Sequence, residues 1–126
     1  MNEFPAEYVR LLHQYIVDRT GGSDELRDFN LLDSALSAAY ATFDGVELMP
    51  SKEEKAAKLG FSLISNHAFV DGNKRIGMYI MMMFLKSNGV DMDCSNEDII
   101  QAGMSVADGS MGYEGLLEWI RSHRAN

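Results

Sequence analysis

The sequence predicts an all-α fold, with six helices bundled around one buried central helix. Apolar residues recur at helical spacing in the segments between glycine-containing breaks. Only two prolines occur in the chain, which argues against a loop-rich β fold. A length of 126 residues with 46% hydrophobic residues suits a single domain with one core, covering residues 1–126.

Breaks in the apolar pattern give the helix boundaries. Proline in a first turn, glycine after a last turn and serine before an apolar run all mark helix ends. The fourth helix contains the run IGMYIMMMFL, which is apolar on nearly every side and therefore belongs at the centre of the bundle. Its methionines are interpreted as core rather than as a cofactor site. The predicted helices cover residues 5–19, 30–42, 51–66, 74–87, 95–106 and 113–122.

Two capping boxes support these boundaries. Ser51 with Glu54 begins the third helix, and Ser95 with Asp98 begins the fifth, because each pair can satisfy free backbone N–H groups reciprocally. Residues 43–50, with the sequence FDGVELMP, separate the second and third helices. Their Asp-Gly pair is a turn signal, so an extended or hairpin-like connection is predicted.

Composition also restricts the function. A formal net charge of −8 disfavours direct nucleic-acid binding, which requires a basic surface. No segment resembles a signal peptide or a membrane span, and the lone Cys94 cannot form an internal disulfide, so a cytoplasmic protein without membrane contact is expected. Asp91 and Asp93 beside Cys94 disfavour a thiolate nucleophile. His13 is interpreted as a surface or half-buried helix residue, since no second metal ligand lies at suitable spacing.

The segment HAFVDGNKR, between the third and fourth helices, has the residue types of an anion site. Gly72 permits backbone conformations that bring amides close to a ligand. Asn73, Lys74 and Arg75 follow at a helix N-terminus, where free N–H groups and partial positive charge attract phosphate. By residue type alone, a polar helix start with incidental charges is the simpler interpretation.

Two further residues of the segment add chemistry. His67 is of the type that accepts a proton near neutral pH, as a base activating a hydroxyl must. Asp71 is a carboxylate beside the anion site, where Mg²⁺ bridging phosphates would need a ligand. Phe69 is expected to be buried and to anchor the segment. Together these are the parts needed for phosphoryl or nucleotidyl transfer.

The same segment resembles the signature of the Fic/Doc family, His-x-Phe-x-(Asp/Glu)-(Gly/Ala)-Asn-x-Arg. Every signature position matches, and the similarity extends from about residue 21 to the C-terminus through RDFNLLDSAL, FLKSNG and the Trp119 region. The resemblance implies a Fic/Doc-type bundle in which residues 43–50 form a flap that aligns a target segment. The signature positions are His67, Phe69, Asp71, Gly72, Asn73 and Arg75.

Two departures indicate the branch of the family. Fic proteins that attach AMP usually have glycine at the position of Lys74 and a second arginine at the position of Met78. The present pattern is instead similar to the death-on-curing, or Doc-like, toxins. That resemblance implies a kinase that transfers the terminal phosphate of ATP to a hydroxyl of a protein of the translation machinery. It also implies an antitoxin partner of the Phd type.

The resemblance also implies a role for each matching residue. His67 would be the catalytic base and Asp71 the Mg²⁺ ligand. Gly72 and Asn73 would shape the anion nest, and Lys74 and Arg75 would bind phosphates of ATP. 

Other interpretations remain open. AMP transfer is the main alternative, and a catalytically inactive interaction module with the same fold is another. A further pattern, Ser110 to Gly115, fits the inhibitory motif (Ser/Thr)-x-x-x-Glu-(Gly/Asn) of many Fic proteins. In those proteins the inhibitory glutamate pairs with the second arginine, and this chain has Met78 at that position. Self-inhibition through Glu114 is therefore disfavoured.

Overall fold

The structure is a computed structural model that describes residues 3–125. Within this range the chain forms six α-helices, one short 3₁₀ helix and a two-stranded hairpin, which confirms the predicted all-α class. The elements are α1 Ala6–Thr20, α2 Phe29–Ser37, a 3₁₀ helix Ala38–Tyr40, β1 Thr42–Phe43, β2 Val46–Glu47, α3 Lys52–Ser65, α4 Asn73–Ser87, α5 Asn96–Ala107 and α6 Tyr113–Ser122.

The second helix is shorter than predicted. Asp28 caps its start, since its side chain accepts hydrogen bonds from the backbone N–H groups of Asn30 and Leu31. The α-helix ends at Ser37 and tightens into the 3₁₀ turn, rather than continuing to residue 42. Apolar spacing continues through this turn, but Thr42 already belongs to the hairpin, so the chain must leave the helix earlier.

The predicted hairpin is present. Thr42 pairs with Glu47 and Phe43 with Val46 in antiparallel register. Asp44 and Gly45 connect the strands with φ angles of 55° and 78°, which is the left-handed pair of a two-residue type I′ turn. Phe43 and Val46 are 74% and 67% exposed, so the hairpin presents apolar side chains to solvent.

Helices α3 and α4 cross closely at two glycines. A Cβ added to Gly77 would lie 2.6 Å from Ile64 Cγ1 and 3.0 Å from the carbonyl oxygen of Gly60. Such an approach is possible only without side chains at the crossing, and it holds together the two helices that flank the HAFVDGNKR segment. Both capping boxes are present as predicted, at the starts of α3 and α5.

Helix α4 is buried over most of its surface, in agreement with its predicted central position. Its open side faces α5, where Tyr79 is 46% exposed and Met82 and Met83 are half-buried. No helix among residues 3–125 combines the length and the hydropathy required to span a membrane. The buried residues of α4 are Ile76, Gly77, Met78, Ile80, Met81, Phe84 and Leu85.

Candidate active site

The loop between α3 and α4, residues 67–72 (hereafter the transfer loop), begins with an exposed histidine. Asn66 ends α3, and His67 follows with φ at 52°, in the left-handed region. Glycine is the usual residue at this position after a helix, because a side chain with positive φ costs about 1 kcal/mol. His67 is exposed, and its backbone conformation is unfavourable for a residue with a side chain.

Asn73 closes the other end of the transfer loop. Its side-chain Nδ2 donates to the carbonyl oxygen of Phe69 at 2.8 Å, and its Oδ1 accepts from the Phe69 N–H at 3.1 Å. Phe69 is 1% exposed, so the loop is anchored in the core as expected. Between them Gly72 takes φ at 80°, which turns the chain into α4.

A second segment, residues 23–28, runs alongside the transfer loop. The N–H of Arg27 donates to the carbonyl oxygen of Ala68 at 2.8 Å, and the N–H of Val70 donates to that of Glu25 at 3.0 Å. The N–H of Ser23 donates to Asp71 Oδ2 at 3.1 Å. These bonds form a short antiparallel ladder, and the Asp71 carboxylate is held at one end of it.

Helix α1 supports the transfer loop from beneath through His13. The ring is 1% exposed and stacks on Phe69, with centroids 3.7 Å apart and planes 14° from parallel. His13 Nε2 lies 2.7 Å from the carbonyl oxygen of Asp71. Burial lowers the pKa of His13, against the opposing effects of this hydrogen bond and of Asp24. The prediction of a surface or half-buried His13 is wrong, because helical spacing does not show that a distant loop covers that face.

The start of α4 presents backbone N–H groups and two cations. Gly72 is the N-cap and supplies no side-chain hydrogen bond, and the first helical bond runs from the Ile76 N–H to the Gly72 carbonyl oxygen. Lys74 and Arg75 are both exposed. Arg75 Nη1 donates to Thr20 Oγ1 at 2.7 Å, so one end of α1 fixes the direction of its guanidinium.

A groove of about 840 Å³ extends from this helix start between α4 and α5. Lys74 and Met78 line its near end, and both pack against Gly103 of α5. A Cβ on Gly103 would lie 3.1 Å from Lys74 Cγ and 3.0 Å from Met78 Cγ. The Lys74 stem therefore follows the wall of the groove, although the residue as a whole is exposed. The remaining lining residues include Arg75, Lys86 and Asp91, with methionines and isoleucines between them.

Asp71 suits a cation that arrives with phosphates. Its carboxylate is exposed, and Ser23 occupies one oxygen. In the described part of the chain, no group of three or more histidine, cysteine or acidic residues could hold a metal by itself. Mg²⁺ is commonly bound by one or two carboxylates together with substrate phosphates and water, so a single carboxylate beside an anion site fits a nucleotide-bound Mg²⁺.

The sequence is similar to known proteins over more than half of its length. The family model described as the Fic/DOC family matches residues 3–85, from the N-terminal region through α4. The chain belongs to the Fic/DOC family. It is also similar to the Toxin Doc of Mycolicibacterium smegmatis, with 46% identity over 72 residues. That alignment covers 57% of this chain and 55% of the relative, so the chain spans about half the length of the curated protein it matches.

The Fic/DOC fold brings the predicted site residues together within one loop and one helix start. Glu114 lies elsewhere. It belongs to the first turn of α6, next to Tyr113, whose hydroxyl donates to the Glu54 carbonyl oxygen near the start of α3. Among the described residues, no hydrogen bond or ion pair joins Glu114 to the transfer loop. Cys94 is also unsuited to nucleophilic chemistry, because burial and the nearby Asp98 and Asp93 raise its pKa.

Three residues that support the Fic/DOC site were not identified from the sequence. His13, Thr20 and Ser23 lie 48 to 58 residues before their partners in the chain. In two of these contacts one partner is a backbone group, so the residue type at that position does not indicate the contact. The single available signal is that His13 is a polar residue beside the apolar stripe of α1, and this pattern occurs often in helices without such a role.

Proposed function

We propose that this chain is a Doc-like protein kinase toxin, which transfers the terminal phosphate of ATP to a hydroxyl of a protein target. The observation that carries the proposal is the pair Lys74 and Met78. Lys74 places a cation at the phosphate site, where AMP-attaching relatives usually have glycine. Met78 is 4% exposed and contributes an apolar wall where those relatives usually have a phosphate-binding arginine. The 46% identity with a Toxin Doc supports the same branch.

The proposed reaction forms a bond between the target hydroxyl oxygen and the terminal phosphorus of ATP. The bond from that phosphorus to the bridging oxygen breaks, and ADP leaves. His67 takes the hydroxyl proton, since its ring lies free at the surface of the loop. Lys74, Arg75 and the N–H groups of the α4 start hold the phosphate oxygens, with Gly72 and Asn73 shaping the backbone around them. Mg²⁺ held by Asp71 would neutralise phosphate charge when the nucleotide is bound.

Intact-mass analysis tests the transferred group. A translation extract is incubated with ATP, Mg²⁺ and the protein, and with the His67→Ala variant as the matched control. The proposal expects one target to gain the mass of a phosphoryl group with the wild type alone. A gain of a whole adenylyl group would contradict the kinase proposal and favour AMP transfer. No gain in any target, with folded protein, would favour an inactive interaction module.

The resemblance supports an antitoxin partner and a cytoplasmic target in the translation machinery. The groove between α4 and α5 supports the antitoxin partner, because it is basic in a chain of net charge −8. Its charged lining residues are three cations, Lys74, Arg75 and Lys86, and one carboxylate, Asp91. Such a surface suits an acidic amphipathic segment of the Phd type.

Expression of the wild type without a partner should arrest growth, and expression of His67→Ala should not. Equal tolerance of both proteins would contradict the toxin proposal.

A further inference from the structure

We propose that His13 is a positioning residue of the transfer loop: its ring holds the Asp71–Gly72 backbone in the shape that phosphate transfer requires. The inference rests on the proposed function for its kinetic consequence but not for its structural one. His13 lies in the middle of α1, 58 residues before Asp71, and is almost completely buried. Its ring does not reach solvent, so it can act on the site only through the loop that it contacts.

The hydrogen bond places a proton on one ring nitrogen of His13. A carbonyl oxygen can only accept, so the 2.7 Å contact between Nε2 and the Asp71 carbonyl requires the proton to be on Nε2. Nδ1 is buried and has no hydrogen-bond partner in the described part of the chain. A ring with one nitrogen satisfied by the loop and the other left without a partner is unusual, because buried polar atoms are generally paired.

The ring also fits the loop sterically. It stacks flat on Phe69, and a Cβ added to Gly72 would lie 3.0 Å from His13 Nε2. Gly72 therefore has two reasons to lack a side chain, its left-handed φ and the ring beneath it. One face of the His13 ring thus contacts Phe69, which anchors the loop, and its edge contacts Asp71 and Gly72. Without the Nε2 donor the Asp71 carbonyl would lose its partner. The directions of the Asp71 side chain and of the α4 start would then change.

The tautomer can be measured without any enzyme activity. Long-range ¹H–¹⁵N spectra of uniformly labelled protein at neutral pH distinguish the two neutral forms of a histidine and the imidazolium. The expected result is that His13, assigned by its absence in His13→Gln, carries a proton on Nε2, as the Nε2–H form or as the imidazolium. A neutral Nδ1–H form, or rapid averaging of the two neutral forms, would overturn the proposal whether or not the protein transfers phosphate.

Three variants separate positioning from stability. His13→Phe keeps a stacked ring but removes the donor, His13→Gln restores a donor near the Nε2 position, and Val9→Ala weakens the same helix at a buried site one turn earlier. For His13→Phe we expect kcat to fall by about 10–100-fold, as for other residues that orient a site from behind, with a smaller change in the KM for the protein target. His13→Gln should recover most of kcat, and Val9→Ala should lower the melting temperature without this loss of kcat.

The outcomes are decisive in combination. If Val9→Ala and His13→Phe lose kcat equally at equal melting temperature, His13 is only structural and the proposal fails. If the wild type transfers nothing, amide exchange of Phe69 and Val70, whose N–H groups are hydrogen-bonded in the loop, replaces kcat as the readout. Faster exchange in His13→Phe, reversed in His13→Gln, supports positioning even where the kinase proposal has failed. Unchanged exchange in both variants overturns it.

Discussion

The side chain of Asn73 binds both backbone groups of Phe69, donating to the carbonyl oxygen at 2.8 Å and accepting from the N–H at 3.1 Å. The amide thus acts as a short strand partner for one residue of the transfer loop. Because both of its polar atoms are used in this way, the amide is held in one orientation and shapes the backbone around the phosphate site, while its Nδ2 keeps a second N–H.

This pairing predicts the effect of Asn73→Asp. The carboxylate keeps an acceptor for the Phe69 N–H but replaces the donor to the carbonyl oxygen, which is left unpaired beside a negative charge. The free energy of unfolding should fall by about 1–3 kcal/mol, the usual cost of an unsatisfied buried group. Urea denaturation measures the change. A variant as stable as the wild type would show that the amide donor does not hold the loop.

Lys74→Met tests the phosphate site separately from the fold. Methionine keeps an unbranched stem against Gly103 and removes only the charge, so stability should be nearly unchanged. Loss of one charge-assisted contact of about 1.5–3 kcal/mol should raise the KM for ATP by about 10–100-fold. Steady-state phosphorylation at varied ATP measures it, with Lys86→Met at the far end of the groove as the matched control. Equal effects of both variants would mean that general charge, not a specific contact, matters.

Lys55→Met tests the support of the hairpin. Lys55 is 1% exposed, and its ammonium donates to Glu47 Oε1 at 2.9 Å and to the Met49 carbonyl oxygen. Without the charge, Glu47 can return to water, since it is half-exposed, and β2 loses its tie to α3. Amide exchange should accelerate in residues 42–48 and stay slow in α4. In the proposed kinase, the KM for the protein target should rise while the KM for ATP stays constant. Uniform acceleration throughout the chain would contradict this local role.

Two substitutions of His67 should differ in stability although both abolish activity. Its φ of 52° favours glycine, so His67→Gly should be more stable than His67→Ala by about 0.5–1 kcal/mol, because the strain of about 1–2 kcal/mol for a side chain at positive φ exceeds the entropy of about 0.4–1 kcal/mol that glycine gains in the unfolded chain. Both should lack transfer activity. Thermal denaturation of the two variants measures the difference. If alanine were as stable as glycine, the left-handed backbone at residue 67 would not be maintained in solution.

Local rules were sufficient for most of the fold. The capping boxes at Ser51 and Ser95, the Asp44-Gly45 turn and the apolar run of α4 each depend on neighbours within a few residues, so the sequence displays them directly. The end of α2 was misplaced because the chain direction required by the hairpin outweighs continued apolar spacing. The groove beside α4 was also not predicted, since an apolar helix pattern does not show which of its sides stays uncovered.

In the candidate site, too, local features could be predicted from the sequence and distant contacts could not. Residues of the transfer loop are contiguous, and their chemistry follows from their types and order. Their supports are distant in sequence: His13 contacts the loop from α1, and Arg27 and Glu25 contact it through backbone atoms alone. Tertiary contacts of this kind follow from the packing of α1 against α4, which no local pattern specifies.

The ladder between residues 23–28 and the transfer loop has a consequence for mutational tolerance. Glu25 and Arg27 hold the loop with peptide groups, so substitutions of their side chains should leave the site intact. Insertion or deletion of one residue there would instead shift every pairing, separate Ser23 from Asp71 and leave the core of α3 and α4 in place. In a saturation library, positions 25 and 27 should therefore accept changes in residue identity far more readily than the segment accepts changes in length.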